Sequence, residues 1–373
     1  METSVEGQIL SAEDQLLILM QAASYLSAIR GQGAPGARIC YERAESLCHS
    51  LDRPGLLYVT LIGQWRNTQV TDKLSAAMQV AERAHSLAQK QDDPTQMIWA
   101  CNALAATHYF LGDFESTRRF AMRAVDIWHS GGGQSHRGDV DSPVPGCLCY
   151  RALSEWHLGE IASCQANMDE AISLAKELKD MHALAVALNY GADLAYNESN
   201  PAEVDRLASE MIELSTRHNF AQWLAVGASW RGWALSASGN PAEGIAWTEQ
   251  GIRDYRANGS VLGVPDQLAR KAEALHLVDR TTEALEVIGE AETLAERFEN
   301  RYCCAELHRL QGVFLAAMGA EETQIEDSFH NAIRIAKEQK SVSLEKRAEA
   351  TYAEYRRQKA SGSGGRGFRL PLW

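Results

Sequence analysis

The feature that most constrains this chain is a unit of about 40 residues that recurs along almost all of it, a period typical of helical repeat arrays. The unit is clearest between Trp223 and Tyr255, where two apolar segments flank a short polar turn. In the first segment large apolar side chains recur every three or four residues, which places them on one stripe of an α-helix. Gly239 suits a left-handed helix end, and Asn240 and Pro241 favour the start of the next helix. The unit is therefore predicted to be a helical hairpin.

A small residue recurs with the same period in seven of the eight second helices, and Met211 stands at the equivalent position of the remaining one. A small side chain there lets the second helix pack closely against its own first helix and against the next unit. One hairpin cannot bury its apolar face alone, whereas eight stacked hairpins form a continuous core. The pattern predicts an all-α solenoid of about eight hairpins, with a generic helical bundle as the alternative. The eight positions, evenly spaced except for one longer step after the third, are Ala44, Ala84, Ala124, Ala171, Met211, Gly251, Ala291 and Ala332.

The repeat also sets the expected domain limits. Residues 1–10 are expected to be a polar N-terminal lead, and residues 11–359 one elongated solenoid. Residues 360–373 are expected to be a flexible Gly/Ser tail with a basic and apolar end. Three interpretations of this tail stay open: a disordered end, a fused peptide, and a short motif that docks on a partner or folds back into the solenoid.

One segment, residues 129–146, interrupts the repeat and is predicted to be a long loop. Loops of this length in a compact array are usually functional or disordered. A metal site could be drawn from the loop, but its glycine content argues against a preformed one, so no metal-binding residue is assigned. The side chains concerned are His129, His136, Asp139 and Asp141.

Composition and charge exclude several function classes. The chain of 373 residues has a formal net charge of −13 and scattered basic residues. A nucleic-acid groove needs clustered Lys and Arg and is therefore not expected. No signal peptide and no apolar run of membrane-spanning length is found, and the eight cysteines lack zinc-site spacing, so a cytoplasmic protein away from the membrane is expected. No catalytic motif is present, so we expect no enzyme activity, no catalytic residue and no cofactor.

The hairpins resemble tetratricopeptide repeats, although their period exceeds the roughly 34 residues typical of that class. This resemblance implies a right-handed α-solenoid. The stretch from Trp223 to Pro265, together with CYRALSEWHLG, AELHRLQGVFL and the segment from Phe329, resembles the C-terminal repeat region of larger bacterial proteins. Those proteins join a class III adenylate or guanylate cyclase domain, a P-loop ATPase domain and a tetratricopeptide region. The chain has no phosphate loop and no strand pair for a cyclase metal site, so only the regulatory part matches, and a cyclase or ATPase is an expected partner.

By analogy with tetratricopeptide proteins, the first helices of the hairpins form a concave groove. Amide side chains there suit the backbone of an extended peptide, and aromatic side chains suit its anchors. An ordinary solvated surface is the alternative. Counting back from each turn gives nine candidate groove residues: Arg66, Asn102, Tyr109, Trp156, Asn189, Asp193, Tyr196, Trp233 and Glu273.

The sequence therefore favours a non-enzymatic module that binds a protein or peptide, with a regulatory or scaffolding role in bacterial signalling. Two alternatives remain. The chain is a small-molecule sensor domain detached from its cyclase or ATPase effector, or it is a truncated remnant of such a protein. The identity of the partner stays open.

Overall fold

The computed structural model describes residues 10–132, 142–361, 368 and 370–372. These residues form seventeen α-helices and no strand. Sixteen of the helices pair into eight hairpins, and α17 follows as a single last helix, so the predicted all-α solenoid is confirmed. Residues 1–9 of the predicted polar lead lie outside the described residues. The helices are α1 (Ala12–Arg30), α2 (Pro35–Ser50), α3 (Pro54–Thr71), α4 (Leu74–Gln91), α5 (Pro94–Leu111), α6 (Phe114–Ile127), α7 (Pro143–His157), α8 (Ile161–Leu178), α9 (Met181–Asn197), α10 (Pro201–His218), α11 (Ala221–Ala237), α12 (Pro241–Ala257), α13 (Val264–Leu277), α14 (Thr281–Phe298), α15 (Cys304–Met318), α16 (Glu322–Glu338) and α17 (Val342–Ala360).

Local chemistry explains most of the hairpin turns. Gly239 has a φ of +97°, the left-handed conformation predicted for it. The side chain of Asn200 accepts a hydrogen bond of 3.2 Å from the Glu203 amide and so caps α10. Asn240 stands at the same place before α12, but its side chain makes no capping bond. There the start of the helix depends on Pro241 instead.

The structure shortens the predicted loop at 129–146. One π-helical turn covers Trp128–Gly132, and α7 already begins at Pro143. Proline is tolerated in the first turn because the amides of that turn have no helical acceptor. Residues 133–141 lie outside the described residues, and with them His136, Asp139 and Asp141.

The periodic small residues lie where the helices of each hairpin meet, as predicted. All eight positions are buried. The approach is closest between α11 and α12, where a Cβ atom on Gly251 would lie 2.6 Å from the Ala225 carbonyl oxygen. A Cβ on Gly232 would lie 2.6 Å from the Gly244 carbonyl oxygen. These two backbones therefore pack at a distance that only glycine permits.

The solenoid winds back on itself, so hairpins far apart in sequence touch. The Gln32 amide donates to Gln222 Oε1 at 3.3 Å across 190 residues, and the Val261 amide donates to the Val70 carbonyl at 2.7 Å. Nearer the C-terminal end His157 Nδ1 lies 2.8 Å from Ser341 Oγ, across 184 residues. Because each of these spans is just under five hairpin repeats, each superhelical turn closes on the next one. The first helices consequently surround a partly enclosed interior.

Two further properties bear on function. No described helix combines the length and the hydropathy needed to cross a bilayer. All eight cysteines are free thiols, and six of them are buried within helices or at their ends.

Two glycine substitutions test the packing at the hairpin contact. Gly251→Ala should lower the free energy of unfolding by about 1–3 kcal/mol, because the new methyl group meets backbone atoms of α11. Gly289→Ala is the matched control: it lies inside α14 with nothing near its Cβ direction, so it should stabilise by about 0.5–1 kcal/mol. Urea unfolding followed by circular dichroism measures both. Equal midpoints for the two variants would contradict the proposed close contact.

Candidate functional site

The first helices of the middle hairpins surround a cavity of about 190 Å³, here called the inner cavity. Tyr150, Tyr190 and Trp230 line it from α7, α9 and α11 and occupy equivalent positions in three successive repeats. Successive first helices therefore present the same position to one interior space. The other aromatic residues of the wall are Trp65, Trp99, Tyr109, Phe110, Trp223, Tyr255 and Tyr302.

A second cavity of about 660 Å³, here called the outer cavity, adjoins the first. It lies between the α1–α2 hairpin and the segments that lead into α9 and α11. The two cavities share wall residues, so the outer cavity lies directly beside the inner one, at the contact between superhelical turns. The shared residues are Gln32, Arg66, His182, Gln222 and Trp223.

Several buried polar atoms in the wall of the inner cavity have no hydrogen-bond partner. Gln69 Nε2 is such a donor, Gln267 Oε1 is such an acceptor, and Ser142 Oγ is a third unpaired group. All three residues are at least nine-tenths buried. An unpaired buried group costs about 1–3 kcal/mol, so it requires an explanation, and a ligand or water in the cavity would supply the missing partner.

Two guanidinium groups are fixed at the cavity by tryptophan rings. Arg270 lies 3.6 Å from the centroid of the Trp230 ring and is paired with Asp266. Arg66 lies 4.5 Å from the centroid of the Trp99 ring. Both are cation–π contacts, which hold the positive charges in place beside apolar surface.

Buried carboxyl groups accompany these cations. Asp193 accepts hydrogen bonds from Tyr109 and Asn197, each at 3.2 Å. Burial, followed by the neighbouring Asp266 carboxylate, raises the pKa of Asp193 to about 7. Burial likewise raises the pKa of Asp266 despite its pairing with Arg270. The charge of the inner cavity therefore changes near neutral pH.

A related network lies beyond the cavity wall, towards the C-terminal end. Glu273 accepts hydrogen bonds from Tyr196 at 2.6 Å and from Trp233 Nε1 at 2.7 Å. Burial raises the pKa of Glu273 to about 7. This network joins α9, α11 and α13 through side chains alone.

The structure brings five of the nine candidate groove residues together at the inner cavity and buries the others nearby. Those lining the cavity are Arg66, Asn102, Tyr109, Asn189 and Asp193. Tyr196, Trp233 and Glu273 form the network described above, and Trp156 lies under the Arg347 guanidinium at 5.4 Å. Ligand contact by any of the nine stays a prediction.

Sequence reasoning missed part of the cavity wall. Gln69, Gln267 and Arg270 line it but were not among the candidates. A usable signal was present, because Arg270 follows Tyr150, Tyr190 and Trp230 at the equivalent position of the next repeat. The unpaired state of the two glutamines has no counterpart in the sequence, because it is defined by their three-dimensional surroundings.

The raised carboxyl pKa values predict a pH-dependent effect of Asp193→Asn. A carboxyl of the unfolded chain has a pKa of about 4, so between pH 4 and 7 the folded protein holds protons that the unfolded chain has released. The stability contribution of this group is thus present at low pH and is lost as the pH rises to about 7. The melting temperature of Asp193→Asn relative to that of the parent protein should therefore increase from pH 5 to pH 8.

The matched control for this effect is Asp169→Asn, which changes an exposed residue of α8. Its melting temperature should follow that of the parent protein across the same range. A constant difference between Asp193→Asn and the parent protein would contradict the raised pKa.

Comparison with known proteins supports the fold. No family model matches the chain. An uncharacterized protein of Rhizobium meliloti (strain 1021) is 24% identical over 277 residues, which are 74% of this chain and 27% of that protein. The chain thus spans about a quarter of the length of this curated relative.

Two solved structures are similar over nearly the whole chain. A Rap protein complexed with Competence and Sporulation Factor has a TM-score of 0.56 and 9% identity, covering 93% of this chain and 99% of that one. NprR in complex with its cognate peptide NprX has a TM-score of 0.54 and 12% identity, covering 90% and 97%. The chain therefore has the fold of a tetratricopeptide-like helical repeat protein, as the repeat pattern predicts.

Proposed function

We propose that this chain is a non-enzymatic regulatory module that binds a peptide in its interior. The observation that carries this proposal is the pair of buried amide groups on Gln69 and Gln267, a donor and an acceptor without partners in the wall of the inner cavity. A peptide group offers one N–H and one C=O, so an extended peptide can satisfy both.

The size of the two cavities favours a chain-like ligand. A cavity of roughly 150 Å³ accepts a benzene molecule, so the inner cavity of about 190 Å³ holds one large side chain among its aromatic rings. The outer cavity of about 660 Å³ has room for several further residues. A peptide anchored by one apolar or aromatic side chain and continuing outward fits this shape.

The similar solved structures support the same interpretation. NprR is bound there to its cognate peptide, and the Rap protein to Competence and Sporulation Factor. Their identity to this chain is low, so what they bind is carried over here only as part of the proposal. The nine candidate groove residues, of which five line the inner cavity, remain the proposed contacts.

The effector that this module would regulate is proposed from the resemblance of the chain to the repeat region of cyclase–ATPase proteins. The matched relative in Rhizobium meliloti is far longer than this chain, which agrees with a repeat region that acts beside other domains. A cyclase or ATPase would be that effector. The eight unpaired thiols suit a reducing cytoplasm.

A small-molecule sensor is the second candidate. Ligand pockets usually measure about 300–1,000 Å³, and the outer cavity falls within this range while the inner cavity lies below it. Thermal unfolding in the presence of nucleotides and metabolites distinguishes the two functions. A ligand at 100 times its dissociation constant stabilises the protein by about 2.7 kcal/mol.

Selection from a random heptapeptide library tests the peptide proposal. Peptides retained by the purified full chain are identified by mass spectrometry, and their affinities are measured by calorimetry. Gln267→Leu should weaken binding about fivefold, because one hydrogen bond of roughly 1 kcal/mol is lost. Its melting temperature should be unchanged or higher, since the side-chain oxygen has no partner in the free protein.

Gln79→Leu is the control, since it makes the same change at an exposed position of α4. It should bind the selected peptides as the parent protein does. If Gln267→Leu also kept full affinity, the inner cavity would not be the site. If no peptide were retained and a metabolite raised the melting temperature, the sensor function would replace this proposal.

A further inference from the structure

The described residues of the C-terminal tail lie against the end of the solenoid. Leu370 and Leu372 are each 8% exposed and join the main hydrophobic core, whereas Pro371 between them is exposed. This alternation is typical of an extended segment with one face buried. The Phe368 ring packs on Tyr355 of α17, with 4.7 Å between the ring centroids.

Arg309 of α15 holds the backbone of this segment. Its side chain is buried, and it donates from Nη1 to the Pro371 carbonyl at 3.2 Å and from Nη2 to the Leu372 carbonyl. The other donors go to Thr351 at 3.3 Å and to both oxygens of Glu306. A guanidinium has five N–H groups, and here all five have acceptors. Two of these acceptors belong to the tail.

This docking site, here called the tail site, consists of Glu306, Arg309, Thr351 and Tyr355. Its recognition of the tail has two separable parts. The guanidinium binds main-chain carbonyls, which any extended segment offers. The apolar contacts accept side chains two residues apart, which selects segments with large aliphatic residues in that spacing.

The tail site adjoins the inner face that the sequence predicts to bind a ligand. Glu306 also pairs with Arg347 at 3.7 Å, and Arg347 covers the Trp156 ring. The tail site is thus linked through Glu306 and Arg347 to Trp156, one of the candidate groove residues that do not line the inner cavity. At the inner cavity buried groups lack partners, whereas at the tail site every donor of Arg309 is satisfied.

We propose that Phe368 and residues 370–372 act as a built-in peptide ligand of the tail site, which a separate segment of the same chemistry displaces. That segment is extended, with two large aliphatic side chains two residues apart and no charge at either position. This site is distinct from the inner cavity, and the proposal does not depend on peptide binding there.

The tether sets how strongly the tail competes. The segment SGSGGRG connects the end of α17 to Phe368. A ligand joined to its site by a short stretch of the same chain has an effective concentration on the order of millimolar. A free copy of the tail therefore binds the intact protein poorly and binds tightly only when the tethered copy is weakened.

The test uses a fluorescein-labelled peptide of residues 366–373 and the full-length chain, with affinity measured by fluorescence polarisation. Leu370→Ser combined with Leu372→Ser weakens the tethered tail without altering the solenoid. This double variant should bind the labelled peptide at least about tenfold more tightly than the parent protein does. The control Pro371→Ala changes the exposed residue between the two leucines and should behave as the parent protein does.

Two further variants locate the bound peptide. A peptide carrying the same two serines should bind neither protein. Arg309→Lys in the double-variant background keeps the charge opposite Glu306 but loses the planar fork, so it should lose the gained affinity. Equal binding of the labelled peptide by the parent and double-variant proteins would overturn the proposal.

The state of association supplies a separate check. In analytical ultracentrifugation the parent protein and the double variant should show the same state of association at every protein concentration. A dimer that forms in the parent protein but not in the double variant would mean that each tail binds a second copy of the chain. That result would overturn the proposal that the tail binds the tail site of its own chain. Gln267→Leu should leave binding of the labelled peptide unchanged, so failure here is distinguishable from failure of the inner-cavity proposal.

Discussion

The rest of the structure depends on close contact between the two helices of each hairpin. At Gly251 the backbones approach so nearly that a methyl group would meet the Ala225 carbonyl, and alanine occupies the equivalent place in most other hairpins. Contact of this kind, repeated at nearly constant spacing, gives each hairpin a similar rotation relative to the last. The accumulated rotation brings Gln32 against Gln222, and this contact turns a concave surface into a partly enclosed interior.

Enclosure determines the chemistry of that interior. Polar side chains on an open groove would be hydrated, but here Asp193 and Glu273 are buried and have raised pKa values. Gln69 and Gln267 are buried without partners for one side-chain atom each. The free protein thus carries an unfavourable energy that a bound ligand could relieve. At the C-terminal end the buried Arg309 guanidinium already has partners, because it donates hydrogen bonds to the backbone of the chain's own tail.

Much of the fold could be predicted from the sequence, because helical periodicity and small residues at fixed intervals are local signals. The paired helices and the left-handed turn at Gly239 follow directly from such signals. The start of α7 at Pro143 was missed, since two prolines and a glycine resemble a loop although all three fit a first helical turn. The contacts at Gln32, His157 and Arg309 join residues far apart in sequence. They follow from the accumulated superhelical geometry, which no local pattern contains.

Hydrogen–deuterium exchange of the full chain, with and without a peptide selected from the library, tests the central claim most directly. The account predicts slower exchange in α3, α9, α11 and α13, whose inner faces surround the two cavities. The second helices α4, α6 and α14 contribute no residue to the wall of either cavity and should exchange as before. Protection confined to these outer helices, or no protection at a saturating peptide concentration, would contradict recognition in the interior.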